Sequence, residues 1–217
     1  MIKAIMQTFL VAVFLSSSVN AFAVEEISKQ EIKDLQAKMS ARKDLAVDFE
    51  QLRTSALRPQ KPSVSKGHAN FQKPSKFRWE TQSPKADVIV FDGKDLVNFK
   101  PGDSTATRYK TDGDRVKEIR EVIDFVMDFD SLLKRYKISN STRNGPDLNL
   151  SLTPANKNNA VNLLELIIDQ EKGLVKSLKM VFQNKNVTEF RFSNANFSAG
   201  SAPIFAVPAG IKIVDGL

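Results

Sequence analysis

The sequence predicts a mainly β fold: an antiparallel sheet of about eleven strands, with helices packed on its apolar side. Three observations support this. Short apolar-alternating runs separated by turn residues fill most of the chain after residue 44. Their apolar members fall on one side, opposite charged or polar ones. The hydrophobic period changes to that of a helix in only two places, near the start and in the middle.

The first helix opens at Ser28. Ser28 and Glu31 have capping-box spacing, and Ile27 and Ile32 stand where a hydrophobic staple closes. Ile32, Leu35 and Met39 recur at helical spacing, and the helix is expected to fade near Lys43. From Leu45 the period is two: Val47 and Phe49 point one way, Asp48 and Glu50 the other. Pro59 and Pro62 predict a loop. Strands follow up to Phe71, through Phe77 and Trp79, through Val88-Ile89-Val90-Phe91 and from Leu96 to Phe99, with turns at Pro74 and Ser83-Pro84. Asp92-Gly93 reads as a two-residue hairpin. Both alternating sets are apolar between Val88 and Phe91, so the inward parity there stays open.

The helical insert carries Val116, Ile119, Val122, Ile123, Val126 and Met127 in one stripe, widened by Phe125. Asp130 is expected to cap a short second helix with Leu132 and Leu133. Strands then resume: Leu148, Leu150 and Leu152; Leu164, Leu166 and Ile168; Val175 to Phe182; Phe190 and Phe192. Turns lie at the Thr153–Asn159 stretch, Gly173 and Asn184-Lys185-Asn186. The chain closes as an extended tail broken by Pro208 and Gly210. Tight turns between successive strands give meander order, and so many strands must curl. A transmembrane barrel needs aromatic girdles and an uncharged outward face. One Trp, two Tyr and charged outward positions exclude it.

The N-terminus reads as an export signal over residues 1–23: Met1-Ile2-Lys3, an apolar Ile5–Leu15 run and an Ala21-Phe22-Ala23 cleavage site. The mature chain, residues 24–217, is expected to form one domain, soluble and periplasmic. Its lack of cysteine excludes disulfides, thiolate metal sites and a Cys nucleophile. A net charge of +7 suits an acidic partner or an anionic membrane surface. The exported address and the lack of a nucleic-acid-binding motif speak against nucleic acid. His68 is the only histidine, Asp92 is explained by turn chemistry, and no phosphate loop or helical metal pair occurs. The expectation is therefore a non-enzyme with no catalytic residues, no metal and no cofactor.

Gly67 through Lys73-Pro74, the Phe77-Arg78-Trp79 strand, the Phe91-Asp92-Gly93-Lys94 turn, Phe99-Lys100-Pro101 and the Ile204–Val214 tail together resemble the periplasmic lipoprotein carrier family LolA. The resemblance implies an incomplete, unclosed antiparallel β-barrel with a helical lid over a hydrophobic cavity. It implies a chaperone that shields lipoprotein acyl chains and carries them from the inner to the outer membrane. The implied partners are acylated lipoproteins, an inner-membrane lipoprotein-releasing transporter and an outer-membrane acceptor lipoprotein, with the carrier a monomer. A carrier of another lipid or glycolipid, or a lipoprotein-sensing module, remains open on the same scaffold. On this reading Val47, Phe49, Phe71, Phe77, Trp79, Ile89 and Phe91 line the cavity. Leu164, Leu166, Ile168, Met180, Phe182, Phe190 and Phe192 supply the far wall. Ile119, Val122, Ile123 and Val126 face it from the lid. Lys73 stands where the family often has an arginine that holds the lid; its point charge is no equivalent of a planar fork. The same pattern also describes plain core, since half-buried strands look alike either way.

Overall fold

The computed structural model describes residues 27–109, 122–156, 159–197 and 202–216. The expected export signal and lid residue Ile119 lie outside these residues. The chain runs from helix α1 (Lys29–Ser40) into six strands: β1 (Asp44–Ser55), β2 (Arg58–Gln72), β3 (Lys76–Ser83), β4 (Asp87–Phe91), β5 (Leu96–Phe99) and β6 (Thr105–Tyr109). Helices α2 (122–127) and α3 (Phe129–Arg135) follow. Five more strands come next: β7 (Tyr136–Asn144), β8 (Asp147–Pro154), β9 (Val161–Asp169), β10 (Leu174–Phe182) and β11 (Val187–Asn196). A 3-10 turn (Ala202–Phe205) leads to β12 (Lys212–Asp215).

All twelve strands form one sheet in the order β12-β6-β5-β4-β3-β2-β1-β11-β10-β9-β8-β7. Two meanders meet where β1 pairs antiparallel with β11. Strands β12 and β7 stand at opposite ends of this order, so the sheet is open and unclosed. The fold is mainly β with a few helices, as expected. The count is twelve because the tail adds a strand. Beyond Pro208 and Gly210, Lys212–Asp215 pairs parallel with β6.

Local chemistry explains the elements. Ser28 Oγ accepts from Glu31 N–H (3.2 Å) and Glu31 Oε2 accepts from Ser28 N–H (2.9 Å), the expected capping box. Helix α1 ends at Ser40, earlier than expected, and the Lys43 carbonyl accepts from Lys73 N–H at 2.8 Å. Asp128, not Asp130, caps α3: its Oδ1 accepts from Ser131 N–H at 3.0 Å, while Asp130 lies in the first turn. The Asp92-Gly93 hairpin is longer than two residues. Asp92 Oδ1 accepts from both Lys94 and Asp95 N–H, which draws residues 92–95 into the connection. Pro59 and Pro62 lie inside β2, not in a loop. They fall beyond the first β3 pair, Lys66 with Ser83, and inside the register shift on β1, so no ladder bond needs their nitrogens.

The sheet's inner face and the helices share one core. Leu35 and Met39 of α1, Val122, Phe125, Val126 and Met127 of α2, and Phe129 and Leu132 of α3 cluster with inward residues from β1 to β11. A second core lies on the outer face. Val88, Val90, Val97, Phe99 and Ala106 pack there under Phe205, with Ile204, Val207 and Ile211 at its margin. The parity left open is therefore settled: Ile89 and Phe91 face inward, Val88 and Val90 outward.

Candidate functional site

Cross-strand register builds the inner wall row by row. Leu45, Phe71, Phe77, Phe91 and Leu96 are successive direct partners from β1 to β5. The next row is Val47, Ala69, Trp79 and Ile89. The row after begins with Phe49 opposite Gly67. A Cβ on Gly67 would stand 1.9 Å from the Glu80 carbonyl oxygen and 2.9 Å from the tip of the Phe49 ring. Only glycine lets that ring approach the backbone so closely. Phe49 stacks on Trp79 with centroids 4.1 Å apart, and Trp79 meets the Phe71 ring at 6.4 Å.

The wall continues through β11. Phe192 is the direct partner of Phe49, and Phe190 that of Gln51. Phe190 meets Trp79 edge-on at 5.5 Å and stacks with Phe192 at 6.1 Å. Beyond it the lining becomes aliphatic. Phe190, Leu178, Leu166 and Leu150 form one row, and Met180, Leu164 and Leu152 another. Ile168 pairs with Val175 and Leu148.

Of the residues expected to line a cavity, all but Trp79 and Phe182 are buried members of this one cluster. Trp79 and Phe182 are half-buried and pack against it. Among the expected lid residues, Val122 and Val126 are buried in the cluster and Ile123 packs on its margin. Leu45, Leu96, Leu178, the β8 leucines and the helix residues Leu35, Met39, Phe125, Phe129 and Leu132 were not among the expected lining or lid residues, and all of them join the cluster. The signal for α1 was present: its apolar stripe needs a partner, and the sheet offers one open apolar face.

Polar contacts fasten the helices around the rim. Lys73 Nζ donates to the carbonyls of Met39 (2.8 Å) and Ser40 (3.3 Å) at the end of α1. Burial lowers the Lys73 pKa, while Asp128 opposes that shift. Burial pushes the Asp128 carboxyl up, but hydrogen bonds from Ser131 and the Lys73 charge bring it below its ordinary value. Arg42 donates to the Gly173 carbonyl (2.7 Å) and Lys38 to that of Gln170 (2.9 Å), tying α1 to the β9–β10 turn. Gln36 donates to Asp130 Oδ1 at 2.7 Å, joining α1 to α3. At the other end Arg143 of β7 pairs with Glu31, and Ile27 N–H donates to Ser141 Oγ at 2.9 Å.

A cleft of about 450 Å³ along β1, β2 and β11 is lined mainly from the polar face of the sheet, by Asp48, Glu50, Lys66, Gln82, Arg191 and Ser193, with Phe49, Gly67 and Phe192 beside them. His68 lies on this polar face, away from the apolar wall, its Nδ1 2.9 Å from Asp48 Oδ1; Asn194 donates to Asp48 Oδ2 at 2.7 Å. Among the described residues no group of three or more His, Asp or Glu could hold a metal ion. No described helix is long and apolar enough to cross a membrane. The arrangement offers an apolar sheet face and an apolar helical cover fastened by polar contacts.

Comparison with known proteins gives this arrangement a family. An outer-membrane lipoprotein carrier protein of Vibrio cholerae (O395) is 31% identical over 155 residues, covering 69% of this chain and 72% of that one. The Glaesserella parasuis protein of the same name is 28% identical over 208 residues, covering 91% and 90%. A solved structure of an uncharacterized conserved protein from Thermus thermophilus shares the fold, with a TM-score of 0.55 at 11% identity, covering 86% of this chain and 98% of that one. The sequence pattern described as outer membrane lipoprotein carrier protein LolA matches residues 40–207, and the chain belongs to that family.

Proposed function

We infer that this chain is a periplasmic carrier of lipoproteins that shields their acyl chains between the inner face of the sheet and the helices. One observation carries the reading: a single apolar cluster is shared by the sheet and by the helices, and among the described residues α1 is fastened at the rim by side-chain contacts.

The energetics favour an exchange. Lifting the helices exposes Leu35, Met39, Phe125, Phe129, Leu132 and their sheet partners. At about 1.5–3 kcal/mol per large apolar side chain this costs on the order of 10 kcal/mol. An acyl chain gains about 0.8 kcal/mol per buried CH₂, again on the order of 10 kcal/mol for a typical chain. Cargo slipping under the lifted helices therefore offsets most of the cost of lifting them. The empty carrier closes on itself instead of exposing its cavity to water. Phenylalanine and methionine in the wall accommodate chains that lie in more than one way.

In this reading Val47, Phe49, Phe71, Phe77, Trp79, Ile89 and Phe91 form the near wall. The β9–β11 residues form the far wall, and α2, with Ile119 upstream of its described part, forms the lid. Lys73 takes the place of a lid-holding arginine by anchoring α1. The cargo comes from an inner-membrane lipoprotein-releasing transporter and goes to an outer-membrane acceptor lipoprotein, with the carrier acting as a monomer and without catalysis.

The test is to purify the mature protein from the periplasm and identify what accompanies it by mass spectrometry. Triacylated lipoprotein is the expected cargo, and Trp79→Glu should lose it while remaining folded. Recovery of free glycolipid alone would assign the scaffold to another lipid.

A further inference from the structure

Strand β2 runs past β3 in the hairpin it forms with β1, while β1 stays beside β11 almost to the tip. Pairing of β2 with β3 begins only at Lys66, and pairing of β1 with β11 reaches Thr54. The turn at the tip is Ala56-Leu57, and Leu57 is 92% exposed. Val64, on the same hairpin, is 41% exposed. Residues 51–66 hold Arg53, Arg58, Lys61 and Lys66 and no acidic residue. The β10–β11 turn lies alongside, since Ala56 N–H donates to Asn186 Oδ1 at 3.0 Å, and it brings a further cation, exposed Lys185. Lys66 is paired with Glu50 at 2.6 Å. Arg58, Lys61 and Lys185 have no ion pair among the described residues.

We propose that this hairpin tip is a docking point for an anionic phospholipid surface, with Leu57 entering the headgroup boundary and Arg58, Lys61 and Lys185 meeting lipid phosphates. Three features favour a bilayer over an acidic protein. The apolar contact is one side chain at an apex, far below the roughly 800 Å² per partner of a stable protein interface. The strand edge of β2 beyond Lys66 carries Pro59 and Pro62, which lack the donors that an added strand would need. The tip's own amides are already satisfied, with Leu57 N–H on Ser55 Oγ at 3.3 Å and Ala56 N–H on Asn186, so entering the boundary strips no bond from the backbone. One leucine and a few cations give attachment that is weak and reversible, unlike an inserted helix. The proposal stands on the hairpin alone and does not depend on what the core carries.

The test is flotation of the full mature chain with phosphatidylcholine vesicles, with and without a minority of phosphatidylglycerol. Binding is expected only when phosphatidylglycerol is present, and it should weaken as salt shortens the screening length. Arg58→Gln with Lys61→Gln should lower partitioning about 25-fold, at roughly fivefold per cation. Leu57→Ser should lower it about tenfold. All three positions are exposed, so thermal unfolding should match that of the parent chain. No binding to phosphatidylglycerol vesicles, or equal binding by the parent and both variants, overturns the proposal. Equal binding to soluble polyglutamate that is insensitive to Leu57→Ser also overturns it, in favour of an acidic protein partner.

Discussion

The same sheet has two covers, and they are attached in opposite ways. On the outer face of β4 to β6 the tail is held by apolar burial and by a main-chain ladder: Phe205 is 2% exposed over Val88, Val90, Val97 and Phe99, and β12 pairs with β6 over four residues. On the inner face the helices are also apolar underneath, but their attachments are side-chain contacts at the rim, from Lys73, Arg42, Lys38, Gln36 and Glu31. Among the described helix residues one main-chain bond reaches the strands, at the junction where α3 runs into β7 and Ala155 N–H donates to the Arg135 carbonyl at 2.8 Å; α1 has none. Exposed polar contacts contribute about 0–1 kcal/mol each. A cover held this way can be exchanged for another apolar body of similar area; a cover knitted into the ladder cannot. The difference separates structural burial from burial that a carrier can release.

The largest effect expected from this comparison is at the outer cover. Phe205→Ala should cost about 3–5 kcal/mol in denaturant unfolding, as for a buried aromatic with little room to collapse. Cargo loading per folded molecule should not change. If loading falls while stability holds, the outer cluster belongs to the functional surface and the contrast fails.

The two covers also differ in how well they can be read from sequence. The inner face was legible where one side of a strand is wet: Leu148, Leu150 and Leu152 alternate with Asn149 and Ser151 because the far side meets solvent. In Val88-Ile89-Val90-Phe91 the alternation vanishes, because the tail buries the outer set as the helices bury the inner one. The tail's own role was hidden because β12 is four residues long, exposed throughout and follows Pro208 and Gly210. Helix α1 was legible from its capping box, whose two bonds are local. Its packing on the apolar side of the sheet was expected too, but the residues that anchor it were not legible, since Lys73 contacts it from 34 residues away and Arg42 reaches a turn 131 residues on. The prolines of β2 misled because their effect depends on which strand edge is paired, which is a tertiary fact. The aromatic residues of the wall were found, but not that Gly67 makes room for Phe49.

A middle-sized effect is expected at Lys73. Lys73→Ala removes a charged donor from the Met39 and Ser40 carbonyls, and such bonds contribute about 1–2 kcal/mol when half-buried. Hydrogen exchange at the end of α1 should accelerate about tenfold, while amides in β12 and β6 stay as they were. Lys73→Arg should restore most of the protection. Equal acceleration in both covers would mean that they open together and that the rim contacts do not control the helices separately.

The smallest effect is at the other end of α1 and is set by pH. Glu31 accepts from Ser28 N–H and pairs with Arg143 of β7. The Arg143 hydrogen bond, followed by those of Ser28, lowers its pKa from 4.5 to about 2. A carboxylate depressed in the folded state contributes stability that is fully present above its unfolded value and is lost as pH falls through its folded one. The contribution of Glu31 is thus complete above about pH 4.5 and gone near pH 2. Asp48, Glu50, Asp92 and Asp128 are also depressed, so the whole protein loses stability in acid. The informative quantity is therefore the difference between the parent and Glu31→Gln in thermal unfolding. That difference should be constant at neutral pH and should close as pH falls across the window, since only the parent can lose this carboxylate. Exchange of the α1 amides should follow the same curve, with those in β12 unmoved. A difference that persists to the acid end would mean that Glu31 acts through packing and not through its charge, and the N-terminal fastening of the inner cover would then be no more releasable than the outer one.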